Sequence, residues 1–219
     1  MGLNKKICLV GSSASPLGRG LGELIDSHDQ VVRIKHLPDP SRGEDLGTKS
    51  NVYLIADGQI NSNDKFIDYV NCHVFDNVVI LDLWQHQINL PQEVLVKNFI
   101  NKSTNAVVYA PINNLVNYYT RFTGWCPTTG MCAILYYLSL GYEHVSIVGF
   151  GLPGDINVDI SKLMSILPIP NDTDWKYEVQ PIFLEGTAKS PDIHTHSIHT
   201  EMKIWNYLCS IGKIKRLEE

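Results

Sequence analysis

The sequence has no apolar run long enough to cross a bilayer and no excess of basic residues. A membrane-spanning helix needs about 20 consecutive apolar residues, and the opening MGLNKKICLVGSS has too short an apolar run for a signal peptide. The net charge of −5 argues against general nucleic-acid binding, which depends on basic surfaces. We therefore expect a soluble, cytoplasmic protein without a transmembrane segment.

Cysteine is scarce, and several catalytic motifs are missing. The five cysteines are scattered at positions 8, 72, 126, 132 and 209, so they form neither a disulfide framework nor a zinc-binding spacing. The sequence contains no G-x-S-x-G elbow, no protein-kinase motif set and no Tyr-x-x-x-Lys pair. These absences argue against α/β-hydrolase, kinase and short-chain dehydrogenase chemistry.

The sequence does contain short apolar runs that alternate with helical segments. The runs are typical of strands buried on both faces: KKICLVG, QVVRIK, NVYLIA, NVVILD, AVVYA and HVSIVGF. Helices are expected between them, over about 21–28, 64–70, 91–102, 112–122 and 128–141, and a last one from Ile198 to Leu208 or Cys209. Alternating strands and helices predict a doubly wound α/β fold, Rossmann-like, with a mostly parallel sheet and helices on both faces.

The length of 219 residues suits one domain over 1–219. The pattern loosens after residue 151, and we expect an irregular lid or flank over about 152–192. Ligand sites in such folds lie at the carboxyl ends of the strands, so the loops at those ends are the candidates for chemistry.

The first candidate loop is GSSASPLGRGLG at 11–22, directly after the first strand. Its glycines let a backbone approach a nucleotide, and its serines supply hydroxyl donors. However, the loop contains neither G-x-G-x-x-G nor the Gly-Lys of a P-loop. A plain turn between strand and helix therefore remains the alternative.

The second candidate is PTTGMCAILYYLSLG at 127–141, where Thr128 or Thr129 precedes an apolar helix. Either threonine can cap this helix, because its hydroxyl accepts a hydrogen bond from a first-turn N–H group. A helix start also attracts phosphate, since its first N–H groups lack intrahelical partners. Simple capping without a ligand is the alternative.

The third candidate is HTHSIHTE, with His194, His196, His199 and Glu201 at the start of the last helix. A histidine there can act as a general base, and three histidines in six residues can also bind zinc. The alternative is that they are surface residues. Asp172 and Asp174 form a D-x-D motif, which can coordinate a metal ion. The alternative is that they are two acidic residues in a polar turn without a ligand.

Together these motifs resemble the family 29 sialyltransferases in their order and spacing. The family's large motif resembles the course from CLVGSS through Arg33, Ile34 and Lys35 to DLGTKS at 45–50. Its small motif is similar to PTTGMCAILYYLSLGYEHVSIVGFG, and its His-x4-Glu motif matches His196 and Glu201. The resemblance implies the GT-A-variant fold of these enzymes and extends from residue 5 to about 205.

The resemblance implies an inverting glycosyltransferase that moves sialic acid or a related acidic sugar from a CMP-sugar donor to a glycan hydroxyl. It implies His196 as the general base, no metal and no cofactor, since the CMP-sugar is a substrate. It further implies a donor-binding set: Gly11, Ser12, Ser13, Lys35, Thr128, Thr129, Gly130, Gly149, Phe150, Gly151 and Lys176.

The sequence departs from the family pattern at several positions. Ser12 and Lys35 replace two asparagines that contact the nucleotide, and Trp175-Lys176-Tyr177-Glu178 replaces His-Tyr-Tyr-Glu, where Lys176 is the expected substitute charge and His194 a rival. The family's disulfide has no counterpart. The resemblance leaves the donor sugar open among sialic acid, Kdo and other acidic sugars such as nonulosonic acids. Two alternatives stay open: a catalytically inactive CMP-binding protein, and a zinc hydrolase built on His194, His196 and His199.

Overall fold

The computed structural model describes residues 5–13, 15–37, 40–60, 64–83, 90–123, 126–150 and 198–218. Within these residues the chain forms a sheet of seven strands, β1 (Ile7–Val10), β2 (Gln30–Ile34), β3 (Val52–Ala56), β4 (Asn77–Asp82), β5 (Val107–Pro111), β6 (Val145–Val148) and β7 (Ile214–Arg216). The α-helices are α1 (Gly22–Asp26), α2 (Gly43–Leu46), α3 (Asp64–Asn71), α4 (Leu90–Lys102), α5 (Asn113–Thr123), α6 (Thr129–Ser139) and α7 (Ile198–Ser210). Short 3-10 turns lie at Pro40–Arg42 and Asp57–Gln59.

The strand order across the sheet is β5-β4-β3-β2-β1-β6-β7, and each neighbouring pair is parallel. The chain first builds outward from β1 to β5, and it then returns to the other side of β1 with β6. The order therefore reverses between β1 and β6, and this reversal decides where the fold opens a crevice.

Both faces of the sheet are buried, because alternate side chains of each strand point to opposite faces. On one face, residues such as Leu9, Leu54 and Ile147 pack against α5, α6 and α7. On the other face, β3 and β4 pack against α3 and α4, while β1, β2 and β6 pack against α1. This arrangement confirms the predicted doubly wound α/β fold.

Two elements differ from expectation. β7 was not predicted, because KIKRLEE has only three strand residues and a polar sequence. β5 is half exposed, although its sequence AVVYA was expected to be buried on both faces, because β5 is the edge strand and lacks a neighbour on one side. The expected lid or flank at 152–192 lies outside the described residues, and the single-domain expectation stays a prediction.

None of the helices in the described part of the chain combines the length and the hydropathy needed to cross a bilayer.

Candidate active site

The carboxyl ends of β1 and β6 form the topological switch point of the sheet. The residues after β1 lead to α1 on one face, whereas α7, the next described helix after β6, packs on the opposite face. Loops that leave neighbouring strands toward opposite faces open a crevice between them, and open α/β sheets bind ligands there. The predicted residues of the first two candidate loops lie at this position.

Gly11 and Gly149 bring the loop after β1 and the turn after β6 into direct backbone contact. The amide of Gly11 donates to the Val148 carbonyl at 2.9 Å, and the amide of Ser13 donates to the Gly149 carbonyl at 2.7 Å. A β-carbon on Gly11 would lie 2.4 Å from the Gly149 oxygen, and Gly149 has a φ of +68°. Both positions therefore need glycine, the first for space and the second for its backbone conformation.

The rest of the glycine-rich loop uses most of its amides inside the protein. The amides of Gly18 and Gly20 donate to the two carboxylate oxygens of Asp45 at 2.8 and 2.9 Å, and the amide of Ser15 donates to the Ser13 hydroxyl at 3.2 Å. The bonds from the glycine amides lower the pKa of Asp45. The exposed Ser12 has no hydrogen-bond partner among the described residues, so its hydroxyl stays available.

Thr128 caps α6. Its backbone is extended, and its hydroxyl accepts a hydrogen bond from the amide of Met131 at 3.2 Å. The capping role expected for Thr128 or Thr129 therefore belongs to Thr128. The amides of Thr129 and Gly130, the first two helical residues, lack intrahelical acceptors and remain as donors at the positive end of the helix.

Gly130 places the start of α6 against the residue that follows Gly149. A β-carbon on Gly130 would lie 2.8 Å from Cε1 of Phe150, and the Phe150 ring in turn packs edge-on against Trp205 of α7 at a centroid distance of 5.4 Å. The glycine-bearing turn after β6, the start of α6 and helix α7 thus form one packed unit.

A buried glutamate, Glu201, holds Thr128 in place. The amide of Thr128 donates to Oε1 of Glu201 at 2.5 Å, and its hydroxyl donates to Oε2 at 3.0 Å. Burial raises the pKa of Glu201 to about 7, although the bonds from Thr128 act in the opposite direction. With Glu201 ionised, the single hydroxyl hydrogen of Thr128 is used inside the protein. The hydroxyl of Thr129 has no partner among the described residues, so it remains available for a ligand.

A second glutamate, Glu218, binds the turn after β6. Its Oε1 accepts hydrogen bonds from the amide of Gly149 at 2.8 Å and the hydroxyl of Ser15 at 2.5 Å. No motif in the sequence indicated a role for this residue. The only signal is that Glu218 follows the last strand at its carboxyl end, and so short a strand gave no prediction.

Lys35 lies at the carboxyl end of β2, one strand from β1. Its φ of +66° is unusual for a residue other than glycine, and its amide and carbonyl are bonded to Leu54 and Tyr53 at 2.9 and 2.7 Å. Left-handed backbone of this kind is a local strain that surrounding contacts hold in place. Like Gly11 and Gly149, Lys35 therefore lies at the carboxyl ends of the strands.

Several predicted residues lie outside the described part of the chain: His194, His196, Gly151, Lys176, Asp172 and Asp174. His199 lies in the first turn of α7, and its side chain is outside the described part of the structure. The roles of these residues stay predictions, and the zinc alternative is untested. Of the predicted donor-binding set, the nine described residues lie at the ends of β1, β2 and β6 and at the start of α6.

The fold resembles solved sialyltransferase structures. A mammalian sialyltransferase matches with a TM-score of 0.59 and 15% identity, over 98% of this chain and 69% of that one. An α-2,3-sialyltransferase from Campylobacter jejuni matches with a TM-score of 0.56 and 16% identity, over 100% and 77%. The sialyltransferase CstII from the same organism, in complex with CMP-3FNeuAc, matches with a TM-score of 0.54 and 15% identity, over 97% and 78%. At these identities the likeness establishes the fold.

The family follows from the sequence profile of glycosyltransferase family 29 (sialyltransferase), which matches residues 4–162 and so covers most of the chain. Strand β7 and helix α7, which carry Glu218 and Glu201, lie beyond the matched residues. The chain belongs to glycosyltransferase family 29, the sialyltransferases, which confirms the predicted enzyme class, a CMP-sugar-dependent glycosyltransferase.

Proposed function

We propose that this protein transfers sialic acid, or a related acidic sugar such as Kdo or a nonulosonic acid other than sialic acid, from a CMP-sugar to a glycan hydroxyl with inversion at the anomeric carbon. Family membership supports the reaction class. The neighbouring structures support the two substrates, since CstII was solved with cytidine-5'-monophosphate and a mammalian sialyltransferase with Gal-beta-1-3GalNAc-ortho-nitrophenol.

The observation that carries the proposal is the pair of hydrogen bonds between Glu201 and Thr128. These bonds join the His-x4-Glu segment, whose histidine stands five positions before Glu201, to the helix start of the small motif. A general base and a phosphate-binding helix start are the two parts that such a transfer needs in one crevice. The contact between Glu201 and Thr128 supports a common site for the two.

The start of α6 is the proposed phosphate site. Phosphate favours a helix start because free amides and the positive end of the helix dipole face it. Here the amides of Thr129 and Gly130 and the hydroxyl of Thr129 are the proposed donors. Ser12 and Lys35 are proposed to contact the nucleoside, where the family has asparagines, and Lys176 to balance the charge of the departing phosphate.

The proposed chemistry is a direct displacement. The acceptor oxygen forms a bond to the anomeric carbon while the bond from that carbon to the CMP phosphate oxygen breaks, and CMP leaves with the electron pair. The neutral imidazole of His196 takes the acceptor hydroxyl proton, as a general base must be deprotonated to act. Attack opposite to the leaving group inverts the carbon. We propose that no metal or cofactor takes part, so activity should survive treatment with EDTA.

We further propose that the enzyme works in the cytoplasm. In the part of the chain that the structure describes, no cysteine forms a disulfide, which is typical of a reducing compartment. Fractionation of cells that express the untagged protein tests this: recovery with secreted or periplasmic proteins would contradict it.

A panel of CMP-sugars tests the proposed function. We expect CMP to stabilise the protein by about 2.7 kcal/mol at a hundredfold excess over its Kd, and at least one CMP-sugar to be consumed. His196→Ala should keep its Tm and CMP affinity but lose at least about 10²-fold in turnover. The control is His144→Ala, because His144 is exposed and directly precedes β6, at the amino ends of the strands and away from the proposed site.

Three results would change the proposal. Normal turnover by His196→Ala would contradict the assignment of the base. CMP binding without turnover of any CMP-sugar would favour the inactive nucleotide-binding alternative. Absence of CMP binding to the wild-type protein would refute the proposal.

A further inference from the structure

Glu218 connects two loops that carry the proposed donor site. It follows β7, and its carboxylate reaches the Gly149 amide at 2.8 Å in the turn after β6 and the Ser15 hydroxyl at 2.5 Å in the loop after β1. Its own carbonyl accepts a hydrogen bond from Nη1 of Arg19 at 2.7 Å. Glu218 thus holds the loop after β1 through two polar contacts and the turn after β6 through a third.

The carboxylate is buried, and its Oε1 accepts both hydrogen bonds. The side chain of Glu218 is 4% exposed, and Oε2 lies 4.0 Å from the guanidinium of Arg216. A buried carboxylate is stabilised only when donors surround it, and removing it would leave the buried amide of Gly149 without an acceptor. The contact is therefore specific in geometry and cannot be replaced by a generic apolar side chain.

The amide that Glu218 holds belongs to the residue whose backbone touches Gly11. Gly149 contributes its amide to Glu218 and its carbonyl to Ser13, so both polar groups of this peptide position are tied to other segments. Phe150, the next residue, packs against Gly130 at the start of α6. A shift of Gly149 would therefore move the phosphate donors of α6 relative to the loop after β1.

We propose that Glu218 is a positioning residue for donor binding, which sets the distance between the loop after β1 and the turn after β6. The inference rests on the proposed function, because it assigns to this contact an effect on CMP binding. It goes beyond that function, because Glu218 lies outside residues 4–162 that match the family. Glu218 does not touch the substrate; it acts through Gly149 and Ser15.

The test compares Glu218→Ala with Glu218→Gln. The amide oxygen of glutamine can still accept from Gly149 and Ser15, whereas alanine cannot. We expect Glu218→Ala to raise the Kd of CMP, measured by calorimetry, about tenfold and to raise the donor KM similarly. The kcat should change less than about threefold. The reason is that a displacement of binding groups by about 1 Å weakens binding strongly. Glu218→Gln should stay within about threefold of the wild type.

Two controls separate positioning from loss of stability. Ile214→Val shortens a core side chain of β7, the strand that precedes Glu218, so it should lower the Tm without changing the Kd of CMP. Hydrogen exchange at the Gly149 amide should accelerate in Glu218→Ala and remain slow in Glu218→Gln and Ile214→Val. If Glu218→Ala does not fold, Ser15→Ala removes one of the two bonds, and its Kd should rise by about threefold.

The outcomes separate this inference from the proposed function. If the wild-type protein binds CMP and folded Glu218→Ala, or Ser15→Ala in its place, binds it with unchanged Kd, the inference is wrong and the proposed function stands. A Kd that rises equally in Ile214→Val would also overturn the inference, since loss of stability alone would then account for it. If the wild-type protein does not bind CMP, both proposals fail.

Discussion

Gly11 and Gly149 lie so close together that a β-carbon on Gly11 would be 2.4 Å from the Gly149 carbonyl oxygen. No side chain fits at that distance, so the backbones of the two loops meet directly at the switch point of the sheet. The contact joins the ends of β1 and β6, which are parallel neighbours although about 140 residues separate them in the chain.

Gly11→Ala should destabilise the protein by about 1 to 3 kcal/mol, because the added methyl group forces the two loops apart. Urea unfolding measures this as a lower midpoint. Ser12→Ala is the matched control, since Ser12 is the next residue and its side chain is exposed. A wild-type midpoint for Gly11→Ala would show that the loops can separate without cost.

Removing the hydroxyls of the two threonines at the start of α6 should affect different properties, stability for Thr128 and CMP binding for Thr129. Thr128→Val should lower stability by about 0.5 to 2 kcal/mol, because the cap of α6 is lost. Thr129→Val should leave the Tm unchanged and weaken CMP binding about tenfold or more, because a hydrogen bond to a charged phosphate is lost. Thermal unfolding and calorimetry on both variants measure the difference.

Serine provides the control for this pair, because Thr128→Ser and Thr129→Ser retain the hydroxyl. Both variants should remain close to the wild type. Unchanged CMP affinity in Thr129→Val would mean that the phosphate does not use this hydroxyl.

Gly130→Ala should destabilise the protein although alanine is the better helix former by about 1 kcal/mol. The reason is the 2.8 Å approach of the new β-carbon to the Phe150 ring, which is itself packed against Trp205. Combining it with Phe150→Leu should recover part of the loss, because leucine leaves room for the methyl group. A double-mutant cycle measures this coupling, and strict additivity of the two changes would contradict the proposed clash.

Stability should depend on pH through Glu201. Its pKa is raised from 4.5 to about 7 in the folded protein, chiefly by burial. Between these values the folded chain keeps a proton that the unfolded chain releases, so the free energy of unfolding decreases as pH rises from about 4.5 to about 7 and changes no further above that. The full effect is on the order of 3 kcal/mol.

Glu201→Gln carries no titratable proton, so it should lose this slope and be more stable than the wild type at pH 8. Urea unfolding at pH 5, 6, 7 and 8 measures it. Glu143→Gln, at an exposed position, serves as control and should keep the slope. An identical slope in Glu201→Gln and the wild type would show that another group titrates.

Local patterns in the sequence were enough to predict most of the sheet. The runs that became β1, β2, β3, β4 and β6 are apolar and β-branched because they are buried on both faces, and that burial leaves a mark in the sequence. β7 leaves no such mark, because it has three residues and joins the sheet only through pairing with β6. The exposure of β5 could not be predicted either, since edge position depends on the strand order.

The sequence by itself determined the alternation of strands and helices, the two candidates for the cap of α6 and the motifs that resemble the family, because these depend on residues close together in the chain. Only the tertiary structure decided that Glu201 binds Thr128 and that Glu218 binds Gly149. Each pair joins positions about 70 residues apart. Hydrogen bonds require atoms within about 3 Å, and no local pattern specifies which distant segments the folded sheet brings to that distance.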